Sequence, residues 1–187
     1  MSTNNEALKA IFKNWADDYN QTCSTSRDEY IKKLAPGATM PPAGTIYGAA
    51  NKEAFSNRCT EYRAKAAEIL NSEIVKANAA ISKEPTAEAV NMCQLLQMRK
   101  STNPDEYNAL LDKYSDTPAV YETVRSIARE NGLRGIPAHP ATMRKADLEE
   151  YRSRIYQRIT PMYAKDGHTS DGYMAIFNDE IDSLFSE

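Results

Sequence analysis

The chain has 187 residues, of which 41% are hydrophobic and 26% charged, and its formal net charge is −3. That much apolar material supports a core and argues against wholesale disorder. The charge balance gives no global attraction to nucleic acid, although a local basic patch is compatible with it. Cys23, Cys59 and Cys93 are odd in number, far apart and without C-x-x-C spacing, which speaks against a disulfide framework or a thiolate zinc site. Cys59 and Cys93 fall on apolar helix faces and read as core.

In chain order, Leu8, Ile11, Phe12, Trp15 and Tyr19 recur at steps of three and four, which predicts a first helix from Glu6 to about Tyr19. The run Cys23-Ser24-Thr25-Ser26 weakens it, because short hydroxyl side chains compete for backbone hydrogen bonds. Ser26 to Glu29 then fits a capping box, opening a second short helix to Leu34 that buries Tyr30, Ile31 and Leu34. Residues 36–50 read as a Pro/Gly-rich loop with Pro36, Gly37, Pro41, Pro42, Gly44 and Gly48. Its apolar residues Met40, Ile46 and Tyr47 either pin the loop to the helices or form a docking arm for another chain.

From Asn51 to Ile81 there is no Gly and no Pro, and Phe55, Cys59, Tyr62, Ala66, Leu70, Ile74, Ala77 and Ile81 form one stripe. A helix of that length reaches roughly 45 Å. The stripe is Ala-rich and not a strict heptad, so it reads as the spine of a bundle more than as a coiled coil. Lys83-Glu84-Pro85 stops it, and Thr86 can cap a helix carrying Ala89, Met92, Cys93, Leu95, Leu96 and Met98, whose broad apolar surface suggests a central position. Asn103-Pro104 and Thr117-Pro118 open two more helices, with proline in the first turn where its missing donor costs nothing. Gly132 terminates the second of these. A further helix starts near Pro140 or Thr142 and carries Leu148, Tyr151, Ile155, Ile159 and Met162, with Pro161 expected to kink or end it. In the last helix, near Ser170 onward, Tyr173, Ile176, Phe177, Ile181 and Leu184 are expected to face inward.

The reading is an all-α, multi-helix bundle with one long central helix and a Pro/Gly-rich loop. Its segments are 1–35, 36–50, 51–131 and 132–187, within one domain overall.

Motifs for chemistry are missing. His139 sits between prolines and His168 in a turn, with spacing that matches no ligand pair, so surface turn or cap roles explain both and no metal or cofactor is expected. There is no G-x-S-x-G turn, phosphate-binding loop or calcium loop. A site assembled from distant residues would be hidden from sequence spacing, so a helical-bundle enzyme stays open as an alternative.

The most basic local surface contains Arg144, Lys145, Arg154 and Arg158, interrupted by acidic residues. It reads as a mixed soluble face, with phosphate-backbone contact as the alternative. The 11 Tyr outnumber the 4 Phe and 1 Trp, and tyrosine suits half-wet interfaces. Tyr156, off the main stripe, and Tyr163 are candidate partner contacts, together with Met40, Ile46 and Tyr47.

Residues 89–132 resemble small helical proteins from tailed-phage and prophage structural gene blocks. The likeness lies in Asn91-Met92 leading to Leu95-Leu96 and Met98-Arg99, then Asp105-Glu106-Tyr107, Lys113-Tyr114 with Asp116 and Pro118, and Ile127-Ala128-Arg129. It implies a role in virion assembly, scaffold-like or minor structural, and brings no catalytic residues with it. The expectation is a non-enzymatic structural or protein-interaction protein, with copies of itself or phage structural proteins as partners. No stretch approaches the ~18 apolar residues of a membrane span, and Met1 to Asn5 lack the features of a signal peptide. Cytoplasmic residence follows, in the host or in a virion if the chain is phage-encoded.

Overall fold

The computed structural model describes residues 3–39, 49–160 and 171–185. The helices in order are α1 (Thr3–Lys33), α2 (Ala49–Ile81), α3 (Ala87–Arg99), α4 (Pro104–Lys113), α5 (Pro118–Glu130), α6 (Pro140–Arg158) and α7 (Asp171–Phe185). There is no strand among the described residues, so the all-α, multi-helix reading holds. No helix of the described chain is long and apolar enough to cross a membrane.

Two expectations about long elements need correction. No single helix dominates, because α1 with 31 residues nearly matches α2 with 33. The expected break in α1 is absent. Ser26 Oγ donates to the Thr22 carbonyl at 2.8 Å, and Thr22 Oγ1 donates to the Asp18 carbonyl at 2.7 Å. The hydroxyls therefore bond back one turn within a continuing helix instead of capping a new one. Beyond that point Tyr30 and Ile31 are exposed rather than buried, and Leu34 is half-buried past the helix end. Of the expected loop, Pro36 and Gly37 form a turn with Gly37 at φ +82°, Ala49 and Ala50 are already helical, and residues 40–48 lie outside the described set.

The chain divides into two compact units, Met1–Asn71 with Tyr151–Glu187, and Ser72–Glu150. The divisions fall inside α2 and α6. In the first unit Leu8, Phe12, Trp15 and Tyr19 of the predicted α1 stripe are buried and Ile11 is half-buried, with Phe55, Cys59, Ala66 and Leu70 of α2 buried too. Tyr151, Ile155 and Ile159 join from α6 and the residue after it, and Phe177, Ile181 and Phe185 from α7. Phe12 packs on Phe177 at 4.9 Å between ring centroids, and Trp15 meets the same ring at 6.3 Å. Each such side chain contributes about 1.5–3 kcal/mol by leaving water. Ile176, expected inward, is exposed, since one residue further on Phe177 takes the inward position. A polar staple joins α1 to α2: Arg58 Nε donates to Asp18 Oδ2 at 2.7 Å and Nη2 to Thr22 Oγ1 at 2.9 Å.

The second unit is built around Ala89, Leu96, Tyr107, Leu111, Tyr114, Val120, Val124, Ile127 and Ala128. Its helix ends follow local chemistry. Thr86 Oγ1 accepts from the Ala89 amide at 3.3 Å, and Asn103 Oδ1 from the Asp105 amide at 3.1 Å. Thr117 makes no side-chain cap, so Pro118 alone sets that start. At the end of α5, Gly132 N–H bonds to Arg129 O at 3.1 Å and Leu133 N–H to Ala128 O at 3.0 Å, with Gly132 at φ +90°. This is a Schellman arrangement, and the glycine is required by its left-handed backbone.

Candidate protein-contact surface

In α3 the residues Ala89, Met92, Cys93 and Leu96 lie along one side, and Ala89 and Leu96 are buried in the second unit's core. The same sequence carries a second apolar set. At 100° per residue, Val90 and Leu95 bracket an arc of about 140° with Met98 near its middle. These three are 40%, 54% and 72% exposed. Asn91 and Gln94, which share the arc, are exposed too. Between Glu88 and Arg99 the helix holds no charged residue. The central position expected for α3 is therefore corrected: one side is core, and the other is an uncharged surface.

The ends of α3 are tied down by ion pairs to α4. Lys113 Nζ lies 2.8 Å from Glu88 Oε1, and Arg99 Nη1 lies 3.2 Å from Glu106 Oε1. Glu106 also accepts from Ser101 Oγ at 2.6 Å. The hydrogen bond from Lys113 holds the Glu88 carboxyl below its ordinary range, and Glu88 raises the lysine in return. Both groups are exposed, so the pairs orient more than they stabilise. Beside the arc runs a groove of about 200 Å³ between α3 and α5, bordered by Val90, Gln94 and Gln97 on one side and Ala119, Val120 and Thr123 on the other.

A second constellation lies where the Gly132–Pro137 segment meets α5. Glu122 Oε1 accepts from the His139 amide at 2.7 Å, and its Oε2 from Arg125 Nη1 at 2.9 Å. Arg125 Nε donates to the Ile136 carbonyl at 2.9 Å. His139 is buried, its Nδ1 accepts from the Ala141 amide at 3.1 Å, and its Nε2 donates to the Ser115 carbonyl at 2.7 Å. The imidazole thus caps the start of α6 as the Nε2–H tautomer; the cap role was expected, but on the surface, whereas the ring is buried. Burial pushes the Glu122 carboxyl up, but the His139 amide and Arg125 outweigh it and hold it below its ordinary value. The glutamate, arginine and histidine are each directed at backbone groups that shape the segment. An open cleft of about 730 Å³ beside them is lined by Arg125, Arg129, Glu130 and Arg134.

The other sequence candidates are dispersed. Met40, Ile46, Tyr47 and Tyr163 lie outside the described residues. Tyr156 is exposed, and its ring lies under Arg63 at 4.7 Å. Arg63 Nε donates to the Ile159 carbonyl at 2.6 Å and Nη2 to the Tyr156 carbonyl at 3.2 Å, so this guanidinium closes the end of α6. Arg144 pairs with the buried Glu73 at 3.4 Å, Lys145 with Glu149 at 3.8 Å, and Arg158 with Glu180 at 2.5 Å. Arg154 is also engaged within the chain. His168 lies outside the described residues. Among the described residues no group of three or more His, Cys, Asp and Glu is placed to hold a metal ion. Burial raises the thiols of Cys23, Cys59 and Cys93, which disfavours the thiolate at each.

Comparison with protein-family models, with curated proteins and with solved structures finds no match to this chain. The α3 surface was missed because its residues share a short helix with a true core stripe. The signal was the angular offset of Val90, Leu95 and Met98 from Ala89, Met92, Cys93 and Leu96.

Proposed function

We propose that this chain is a non-enzymatic structural protein that works by contact with other protein chains, and that the outer face of α3 is its contact surface. The observation that carries this reading is the absence of charge across the exposed arc from Val90 to Met98. Isolated exposed apolar residues are ordinary on a protein surface. A helix face that combines exposed Leu, Met and Val with amides and excludes charge has the composition of an interface centre. The groove toward α5 extends the apolar area, and the ion pairs to α4 hold the face in place before any partner arrives, which lowers the ordering cost of binding. Assembly of a tailed-phage particle is the setting we favour, because the resemblance over residues 89–132 spans α3 to α5.

The test is photocrosslinking in the producing cell from a photoreactive residue placed at Met98, with the exposed Ala79 of α2 as control position. A discrete protein adduct from position 98 and none from 79 is expected. No adduct, or equal adducts from both, would overturn the reading.

A further inference from the structure

We infer that the α3 face binds a second copy of this chain, with the two α3 helices antiparallel across a two-fold axis beside Gln94. The inference rests on the contact-surface reading above and deepens it by naming the partner.

The positions of the two charges of α3 set the arrangement. Glu88 and Arg99 are its only charged residues. Being eleven positions apart, they point within about 20° of one another around the axis and lie roughly 16 Å apart along it. Both therefore sit on the same flank of the apolar arc, next to Leu95, one at each end. A two-fold axis perpendicular to the plane of two antiparallel helices exchanges helix ends and keeps each flank on its own side. Glu88 of each copy then faces Arg99 of the other, and one symmetry operation creates two opposite-charge contacts. Parallel docking about a two-fold axis along the helices would carry this flank to opposite sides and set Glu88 and Arg99 against the uncharged flank of Val90, Cys93 and Gln97, so only the antiparallel arrangement pairs the charges.

The same operation places the remaining residues consistently. The midpoint of Glu88 and Arg99 falls between Cys93 and Gln94, and Gln94 is the one of that pair on the exposed arc. Its amide carries both donors and an acceptor and can pair with its own copy. Val90 comes opposite Met98, apolar against apolar. The existing partners need not be given up. The Glu88 and Arg99 side chains are 76% and 69% exposed in their pairs with Lys113 and Glu106, and a carboxylate or guanidinium accommodates more than one partner. The 13-residue helix is about 20 Å long. A contact centred on it is at the small end of specific interfaces, so the dimer should be weak and concentration-dependent.

The experiment is mass in solution by sedimentation, from low to high micromolar concentration. The wild-type chain should rise from the mass of one chain, 20.9 kDa, toward twice that value. Glu88→Arg and Arg99→Glu should each stay monomeric where the wild type is dimeric, because each sets like charges opposite one another. An equimolar mixture of the two variants should recover the dimer, because both contacts then pair a guanidinium with a carboxylate. Circular dichroism melts of each variant check that these exposed changes leave the fold intact. A wild type that stays monomeric, variants that dimerise like the wild type, or a mixture that fails to recover the dimer would overturn the inference. The crosslink from position 98 separates this failure from that of the parent reading. An adduct to a different protein keeps the contact surface and removes the second copy, whereas no adduct removes both.

Discussion

Glu122 is held between two donors, the His139 amide at 2.7 Å and Arg125 at 2.9 Å, and so joins α5 to the start of α6. Because these donors outweigh burial, its carboxyl ionises below the ordinary range when folded. A carboxyl whose folded pKa is depressed stabilises the fold above its unfolded pKa, about 4.3, and loses that contribution as pH falls through the folded value. Glu122→Gln should therefore be less stable than wild type at pH 7, with the gap closing as the medium is acidified below about pH 4. Urea unfolding across that range measures it, and a gap independent of pH would contradict the account. Little of this was legible in the sequence. The cap role of His139 was, since a polar residue before a proline and a helical run reads locally. Its partners Glu122 and Ser115 are 17 and 24 residues away, and only the Schellman turn at Gly132 brings them within reach. Arg63 is a stronger case, because the carbonyls it closes are 93 and 96 positions distant.

Helices announced themselves where their ends carry their own chemistry. Thr86, Asn103 and Gly132 were readable because a cap depends on residues within one turn. Gly132→Ala tests that dependence. The space for a Cβ is open, so the cost comes from the left-handed φ of +90° alone. We expect a loss of about 1 kcal/mol in denaturant unfolding, and less for Gly132→Asn. An unchanged midpoint would show that the turn relaxes without a left-handed residue. Where the same local chemistry has two outlets, the sequence misled. In α1 the hydroxyls of Thr22 and Ser26 are as capable of capping a new helix as of bonding one turn back. The packing of Tyr19 on Phe55 at 5.5 Å and the Arg58 staple favour the continuous helix. In α3 two apolar stripes fit the same 13 residues, and only the tertiary arrangement decides which of them is buried.

At the scale of the whole molecule, the net charge of −3 arises from 23 basic and 26 acidic residues, so where the charges lie matters more than their sum. The sequence gathers Arg144, Lys145, Arg154 and Arg158 along α6, read as a mixed soluble face with phosphate contact as the alternative. The division between the units falls between Glu150 and Tyr151, two of the four residues on either side. Arg144 is drawn to Glu73, Lys145 to Glu149 and Arg158 to Glu180, and the Arg158 guanidinium also lies 5.5 Å from the Phe177 ring centroid. Binding a phosphate backbone by counterion release needs cations free to face it, and recruiting these would mean breaking pairs, one of them to a buried carboxylate. Glu73 would keep Lys76, at 2.7 Å, but lose a partner that offsets its burial, and an exposed phosphate contact returns little for that loss. We therefore expect no retention of duplex DNA or single-stranded RNA by the purified chain in a gel-shift assay, even at about 50 mM salt, where such binding is strongest. Retention that weakens with added salt and is lost in Arg154→Glu with Arg158→Glu would restore the basic face as the functional surface and displace α3 from that role.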